Sequence, residues 1–340
     1  SSPPRSGRGG AARPGMRAPP RMAMLVDAGE VSEGVVLFLD ARTLAHFARG
    51  SPQCARLAGG RLRHLHWYIY SVGGQILDWD QPAVERYNVR ANCWDTLAPL
   101  PVSCDVRVAE LQGQIYVFGA VQTERPLVAR YDSLRDDWDD LGPPPSVPGY
   151  GREGDGMEPL LARQAVVLGS SIYVAGDKHI AQYTPPKAWK LLPPMPGDAA
   201  RWHNIATGDR DIASRRFFKL VVAGGLLYAV GGEGNYKSQS SHFGLSDKFE
   251  RYDPRTERWE ALAPLPSQRC CSAAACTGTV VAVGPCIVVL ETYSENFEHC
   301  GRSWAYNAAA GTWRELPQVP TPRRGACSAV LNDALYVIAG

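Results

Sequence analysis

Apolar residues come along this chain in short runs, each ending at or beside a glycine. Five are IYSVGG (69–74), IYVFGA (115–120), IYVAGD (172–177), LYAVGG (227–232) and VVAVGP (280–285). Such runs, rich in β-branched and aromatic residues and stopped by glycine, predict strands. Each is followed by a tyrosine and, six or seven residues later, a tryptophan: Tyr87/Trp94, Tyr131/Trp138, Tyr183/Trp189, Tyr252/Trp259 and Tyr306/Trp313. A proline-rich exit then follows, LAPLP, LGPPP, LLPPMP, LAPLP or LPQVP, and the glycines recur about every 45 to 57 residues. A fixed period of this size marks a supersecondary unit that buries its faces by stacking on its neighbours.

One unit, 214–266, can be read strand by strand. RFFKLVVAG predicts a first strand, Gly224-Gly225 a tight turn, and LLYAVGG a second strand. KFERY predicts a third and RWEAL a fourth, joined through Asp253-Pro254-Arg255-Thr256. There proline pre-sets φ and the preceding aspartate can bond the turn's backbone. Four short antiparallel strands, apolar on both faces, form a blade that cannot bury itself, and radial stacking of blades solves this. The ten repeated aromatics read as filling between blades, their polar tips requiring partners.

Diglycine, spaced Tyr and Trp, and a period near 50 residues together resemble the Kelch repeat. VERYNVRANCWDTLAPLP and FERYDPRTERWEALAPLP are similar to the version found in metazoan BTB–Kelch proteins. The resemblance spans 61–340, with the diglycine replaced by Gly119-Ala120, Gly176-Asp177 and Gly284-Pro285. It implies an all-β chain forming a six-bladed Kelch β-propeller with four antiparallel strands per blade. The repeats fall at about 61–101, 102–145, 160–197, 214–266, 268–320 and 323–340. The last is only half a unit, GACSAVLNDALYVIAG. VVLFLDARTLAHF (35–47) overlays the missing half, with Leu39-Asp40-Ala41-Arg42-Thr43 matching Tyr252-Asp253-Pro254-Arg255-Thr256 and Phe47 or His46 at the tryptophan position. The expectation is therefore that N-terminal strands within 34–50 complete the last blade and leave no open edge. The alternative is that the C-terminal strands lie beyond this sequence and 35–47 is unrelated.

Composition changes the picture little. The chain has 340 residues, 45% of them hydrophobic, and no apolar run of the length that spans a bilayer. Residues 1–24 carry five arginines and no acid; without these five, 31 basic residues stand against 34 acidic ones. The net charge of +2 thus gives no reason to expect nucleic-acid binding by the propeller, nor is membrane association expected. The segment 1–30, rich in Pro, Gly and Arg, reads as a disordered tail, and 31–340 as one propeller. It shows no apolar signal-peptide core. Nine cysteines without a CxxC pair, and the absence of an Asn-x-Ser/Thr site, agree on a reducing compartment, cytoplasmic or nuclear.

With strands A to D antiparallel, A–B and C–D turns share one face, and B–C loops and D–A crossovers share the other. The long insertions, 146–160, 197–214, 233–247 and 286–301, are all B–C or D–A segments, which makes that face the expected binding face. Arginines at the starts of strands A and C gather there: Arg125, Arg163, Arg215, Arg216, Arg269, Arg302, Arg323 and Arg324. Their forks suit carboxylates or phosphates. The same loops hold acids that could pair with them locally, among them Glu153, Asp209 and Glu295. The candidate partner-binding set is Arg163, Arg216, Arg269 and Arg324 with the aromatics Trp79, Trp202 and Tyr236.

Catalytic signatures are weak. His64 and His66 share a strand face without a third metal ligand of recognisable spacing, and His179, His203, His242 and His299 lack a paired nucleophile. AGGLLYAVGGEG (223–234) is a strand hairpin rather than a phosphate loop. No catalytic residue, cofactor or metal is expected. The reading is a module for a protein or peptide ligand, an acidic one suiting the arginines. The resemblance to BTB–Kelch proteins implies substrate recognition for a cullin-type ubiquitin ligase, whose components would be reached through regions outside this chain. A non-ligase scaffold or cytoskeleton binder is the alternative, and a propeller enzyme the third, since fold alone does not settle function.

Overall fold

The computed structural model describes residues 68–338 except 74, 77–78, 81, 89–90, 102–105, 120–126, 149–156, 177–178, 197–200, 204–209, 213–217, 235–243, 246, 267–278, 291–301, 322–326 and 332–333. Among these residues every regular element is a strand. Four sheets have four strands in the order A–B–C–D, all antiparallel. They are, in chain order, Val106–Leu111, Gln114–Gly119, Val128–Asp132 and Asp137–Asp140 in the second unit, and Gln164–Leu168, Ser171–Ala175, Ile180–Thr184 and Ala188–Leu191 in the third. The fourth has Lys219–Ala223, Leu226–Val230, Phe249–Asp253 and Arg258–Ala261; the fifth has Thr279–Val283, Cys286–Leu290, Ser303–Asn307 and Thr312–Leu316. The first unit shows strands B, C and D at Tyr68–Val72, Val84–Asn88 and Cys93–Leu97. The last shows A and B at Cys327–Leu331 and Ala334–Ile338.

The unit predicted over 214–266 forms as expected, including the Gly224-Gly225 turn, where both residues adopt positive φ (56° and 76°) as a hairpin compatible with strand twist requires. Asp253 Oδ1 accepts the Arg255 N–H at 2.9 Å and so fixes the C–D turn. One assignment is corrected. VVAVGP was read as the fifth unit's counterpart of LYAVGG, with an insertion over 286–301, but Thr279–Val283 is strand A and Gly284-Pro285 is the A–B turn. Cys286–Leu290 is strand B. Its apolar run ends at Glu291 instead of glycine, so the expected stop signal appeared one strand too early. What remains of that insertion lies outside the described residues.

Inner strands of successive units lie beside one another, the second against the third, then the fourth, the fifth and the last, which is the radial order of a propeller. The core sits between blades. Val72 and Val84 of the first unit pack with Val108, Val117 and Tyr131 of the second. Tyr173 and Ile180 of the third pack with Leu220, Leu227 and Tyr252 of the fourth. The five strand-C tyrosines are all buried, and each lies 4.8–5.2 Å, centroid to centroid, from its own unit's tryptophan. Three of the five indole tips reach a partner. Trp138, Trp259 and Trp313 donate through Nε1 to the carbonyls of Ala98, Pro193 and Ala263 in the preceding unit's proline-rich exit, at 2.9–3.0 Å. Segments 1–30 and 34–50 lie outside the described residues, and with them the count of six blades and the N-terminal closure.

Candidate functional site at the loop-bearing face

Hairpin geometry fixes the faces. The A–B turns Gln112-Gly113, Gly169-Ser170, Gly224-Gly225 and Gly284-Pro285 have two residues, and the C–D turns have three or four. Among the described residues, the opposite face carries all the additional structure. Four short hairpins project from B–C loops and D–A crossovers: Gln75–Ile76 with Trp79–Asp80, Ser146–Pro148 with Met157–Pro159, Arg201–His203 with Arg210–Ile212, and Glu233–Gly234 with Gly244–Leu245. Met157 is 64% exposed on one of them.

Of the candidate residues, Trp79 and Trp202 stand in two of these hairpins, and Arg163 is exposed at the head of the third unit's strand A. The fold therefore brings these three to one face. Arg216, Arg269, Arg324 and Tyr236 lie outside the described residues, as do Arg125, Arg215, Arg323, His64 and His66. Arg302 is engaged locally: its guanidinium meets Glu315 Oε1 at 3.1–3.2 Å and lies 4.9 Å over the Trp304 ring. That is the local pairing weighed against partner binding, and here it describes the residue.

Register exposes a feature that single-unit reading missed. Counting back from the closing pair of each A–B hairpin, the same inner-strand position is Arg107, Gln164, Lys219, Thr279 and Cys327 in successive units. This position lies at the start of strand A, on the loop-bearing side of the ring. Two of its residues bond forward to the next blade. Arg107 Nε donates to the Arg163 carbonyl at 2.7 Å. The Gln164 amide donates through Nε2 to the Leu220 carbonyl at 2.7 Å and accepts the Leu220 N–H at Oε1, 2.8 Å. The signal was a single polar residue opening each apolar run, but its meaning lies in a partner 56 residues away.

Behind this mouth, the outer halves of the first, second and fourth units are ordered by charge. Tyr70, Arg86 and Asp95 stand directly opposite one another on strands B, C and D, as do Tyr116, Arg130 and Asp139, and Tyr228, Arg251 and Glu260. The ion pairs measure 2.9, 2.6 and 2.5 Å. Arg130, and then Arg135, hold the Asp139 carboxyl below the usual carboxylate range. Burial pushes the Tyr173 and Tyr183 phenols up to about 12, so they stay neutral donors at physiological pH. These residues are structural, and the described residues hold no group of three metal-ligating side chains.

Comparison with known proteins agrees with this geometry. Residues 214–266 match the Kelch motif family. Over 304 residues the chain is 27% identical to Kelch-like protein terF of Aspergillus terreus, covering 80% of this chain and 58% of that protein. It is 24% identical to Kelch-like protein 15 of Danio rerio (80% and 45%) and 25% identical to Kelch-like protein 38 of Rattus norvegicus (72% and 38%). The chain thus spans less than two thirds of the length of these curated relatives. Among solved structures, that titled "Structure of YjhT" superposes with a TM-score of 0.53 at 14% identity, covering 80% of this chain and 86% of that one, a likeness of fold. With its repeated Tyr–Trp blades, this all-β chain of propeller-like architecture carries a Kelch motif over 214–266 and is similar along most of its length to Kelch-like proteins.

Proposed function

We propose that the propeller is a non-catalytic protein-recognition module that holds an acidic segment of a partner on the face bearing the B–C and D–A loops. The observation that carries this reading is the gathering of all four additional hairpins on that face, while the opposite turns keep to the minimum length. Trp79, Trp202 and Met157 stand in those hairpins as candidate anchors. Arg163 at the mouth, with Arg107 and Lys219 beside it on the inner strands, supplies cations that favour carboxylates. Its likeness to Kelch-like proteins supports the finer proposal, presentation of that partner to a cullin-type ubiquitin ligase in the cytoplasm or nucleus.

Affinity capture with the native chain beside a variant carrying Arg163, Arg216, Arg269 and Arg324 all changed to Ala tests the site. The reading expects the same partners to be lost while the melting temperature holds; undiminished capture would remove the loop face from consideration. Cullin recovered with the full-length protein supports the ligase proposal. Partners retained without cullin favour the scaffold reading.

A further inference from the structure

The joint between the first and second units shows how one blade can grip the exit of the blade before it. Asp136 sits in the left-handed region (φ 50°), where its Oδ1 accepts the Tyr131 hydroxyl at 2.6 Å and the Ala98 N–H at 2.9 Å. Trp138 Nε1 donates to the carbonyl of that same Ala98. A single exit residue is thus held by both its N–H and its C=O.

The first unit carries the same receptor. Asn92 stands at the corresponding place in its C–D turn (φ 54°), and its Oδ1 accepts the Tyr87 hydroxyl at 2.5 Å. Trp94 lies 5.2 Å from Tyr87, as Trp138 does from Tyr131. Yet Trp94 is 42% exposed, whereas Trp138, Trp189, Trp259 and Trp313 are half-buried. The last unit shows a matching exposure. Tyr336, the third residue of strand B, is also 42% exposed, while Tyr116, Tyr173 and Tyr228 at that place are buried. Leu335 and Val337 pack on the fifth unit, so Tyr336 between them points the other way. In a closed ring the first and last units are neighbours, and the two exposed aromatics face one joint.

The receptor specifies its guest. At three other joints the gripped residue lies four after the preceding unit's tryptophan and directly before a proline: Ala98-Pro99, Pro193-Pro194 and Ala263-Pro264. The following proline holds that residue extended and leaves its peptide groups open to a neighbour. The turn residue is matched to it. Asp136 meets Ala98, which has an N–H; Glu257 faces the joint at Pro193, which has none, and pairs with Lys190 instead. Asn92, with its acceptor already aligned on Tyr87, therefore calls for a residue other than proline that is followed by proline.

The overlay of 35–47 on a missing outer half left Phe47 and His46 as alternatives for the tryptophan position. Four residues beyond Phe47 stands Ser51, followed by Pro52; four beyond His46 stands Gly50, followed by Ser51. Phe47 alone reproduces the gripped pair, although Cys54 stands where the exits carry a second proline.

We propose that Asn92 and Trp94 form a docking site for the backbone of Ser51, filled by residues 47–52 of this same chain. Asn92 Oδ1 accepts the Ser51 N–H, and Trp94 Nε1 donates to the Ser51 carbonyl, repeating the joint at Ala98.

The test uses the full chain in two forms. In the first, the photocrosslinker p-benzoyl-phenylalanine replaces Gln53, at the place that Leu100, Met195 and Leu265 fill in buried positions elsewhere. Irradiation should join residue 53 to 84–97 of the same chain. In the second, the ¹⁵N-labelled chain is compared with Ser51→Pro and Ser51→Ala. Ser51→Pro removes the N–H but keeps the carbonyl, as Pro193 does for Trp259. It should shift the Asn92 side-chain amide signals and leave the Trp94 indole in place, whereas Ser51→Ala should move neither. The other eight indole signals report that the fold persists. Crosslinks that fall elsewhere, join two copies or fail to form would give the site another occupant and overturn the proposal. So would Asn92 signals that ignore Ser51→Pro.

Discussion

Trp138 donates its indole Nε1–H across a blade boundary to the carbonyl of Ala98, 2.9 Å away and 40 residues earlier in the chain. The repeated tryptophan is therefore a clasp on the preceding unit's proline-rich exit as well as a filler. Trp138→Phe keeps most of the packing and removes the bond, and should lower stability by about 1 kcal/mol. Trp189→Phe, which removes no such bond among the described residues, should cost less. Urea unfolding of the two variants side by side checks this; equal losses would show that ring packing alone sets the effect.

Gln164 holds the next blade from the inner strand through two bonds to Leu220, one donated and one accepted. Gln164→Leu leaves both Leu220 backbone groups without their partner at a half-buried boundary, so a loss of about 2 kcal/mol is expected. Gln164→Glu retains only the accepting half and should fall between. A denaturant midpoint for Gln164→Leu equal to that of the native chain would show that water replaces the amide.

Acid should loosen the first boundary through Asp136. The Ala98 N–H, and then the Tyr131 hydroxyl, stabilise its carboxylate, so its folded pKa lies below the ordinary value. A depressed folded pKa contributes stability that is present above the unfolded value, about 3.9, and is lost as pH falls through the folded one. Stability should therefore decline below about pH 4, and Asp136→Asn should flatten that decline while lowering stability at neutral pH. Parallel curves for the two proteins between pH 6 and 3 would assign the acid limb to other carboxylates.

At Gly176, where the repeat's diglycine is reduced to a single residue, the surviving glycine is held by space. A Cβ on Gly176 would lie 2.7 Å from Leu160 Cδ1 and 3.2 Å from the Leu161 carbonyl oxygen. Leu160 is itself buried at 3% exposure, so it cannot readily give way. Gly176→Ala should destabilise the chain by about 1–3 kcal/mol, read as a drop in thermal midpoint. An unchanged midpoint would show that the segment at 160–161 moves freely.

The fold was legible where the signal is local. Tyr252 and Trp259 repeat at fixed spacing, Asp253-Pro254 marks its own turn, and loop lengths alone put the hairpins of Trp79 and Trp202 on one face. Strand B at Cys286–Leu290 was hidden because its run ends at Glu291, whereas the glycine that drew attention, Gly284, belongs to the turn before it. The inner-strand bonds of Arg107 and Gln164 were out of reach for another reason. Each polar residue is visible in its run, but its partner is set by how one blade seats on the next. Lys187 likewise looks like an ordinary turn lysine until the register sets it against Asp136 and Glu257, which bond the preceding unit.

The bonds that seat one blade on the next draw on inner-strand positions, C–D turns and exit segments, among them Gln164, Asp136, Glu257 and the carbonyls of Ala98, Pro193 and Ala263. Among the described residues they use none of those in the four loop-face hairpins, although Val147 of one hairpin is buried in the core between the second and third units. The two faces of the ring are therefore under unequal physical constraint. Substitutions in the hairpins away from buried Val147 can lengthen a loop or change its charge without loosening the ring, whereas a change in a C–D turn is felt at once by the neighbouring blade. Descendants of this chain should diverge in what they recognise long before they diverge in shape.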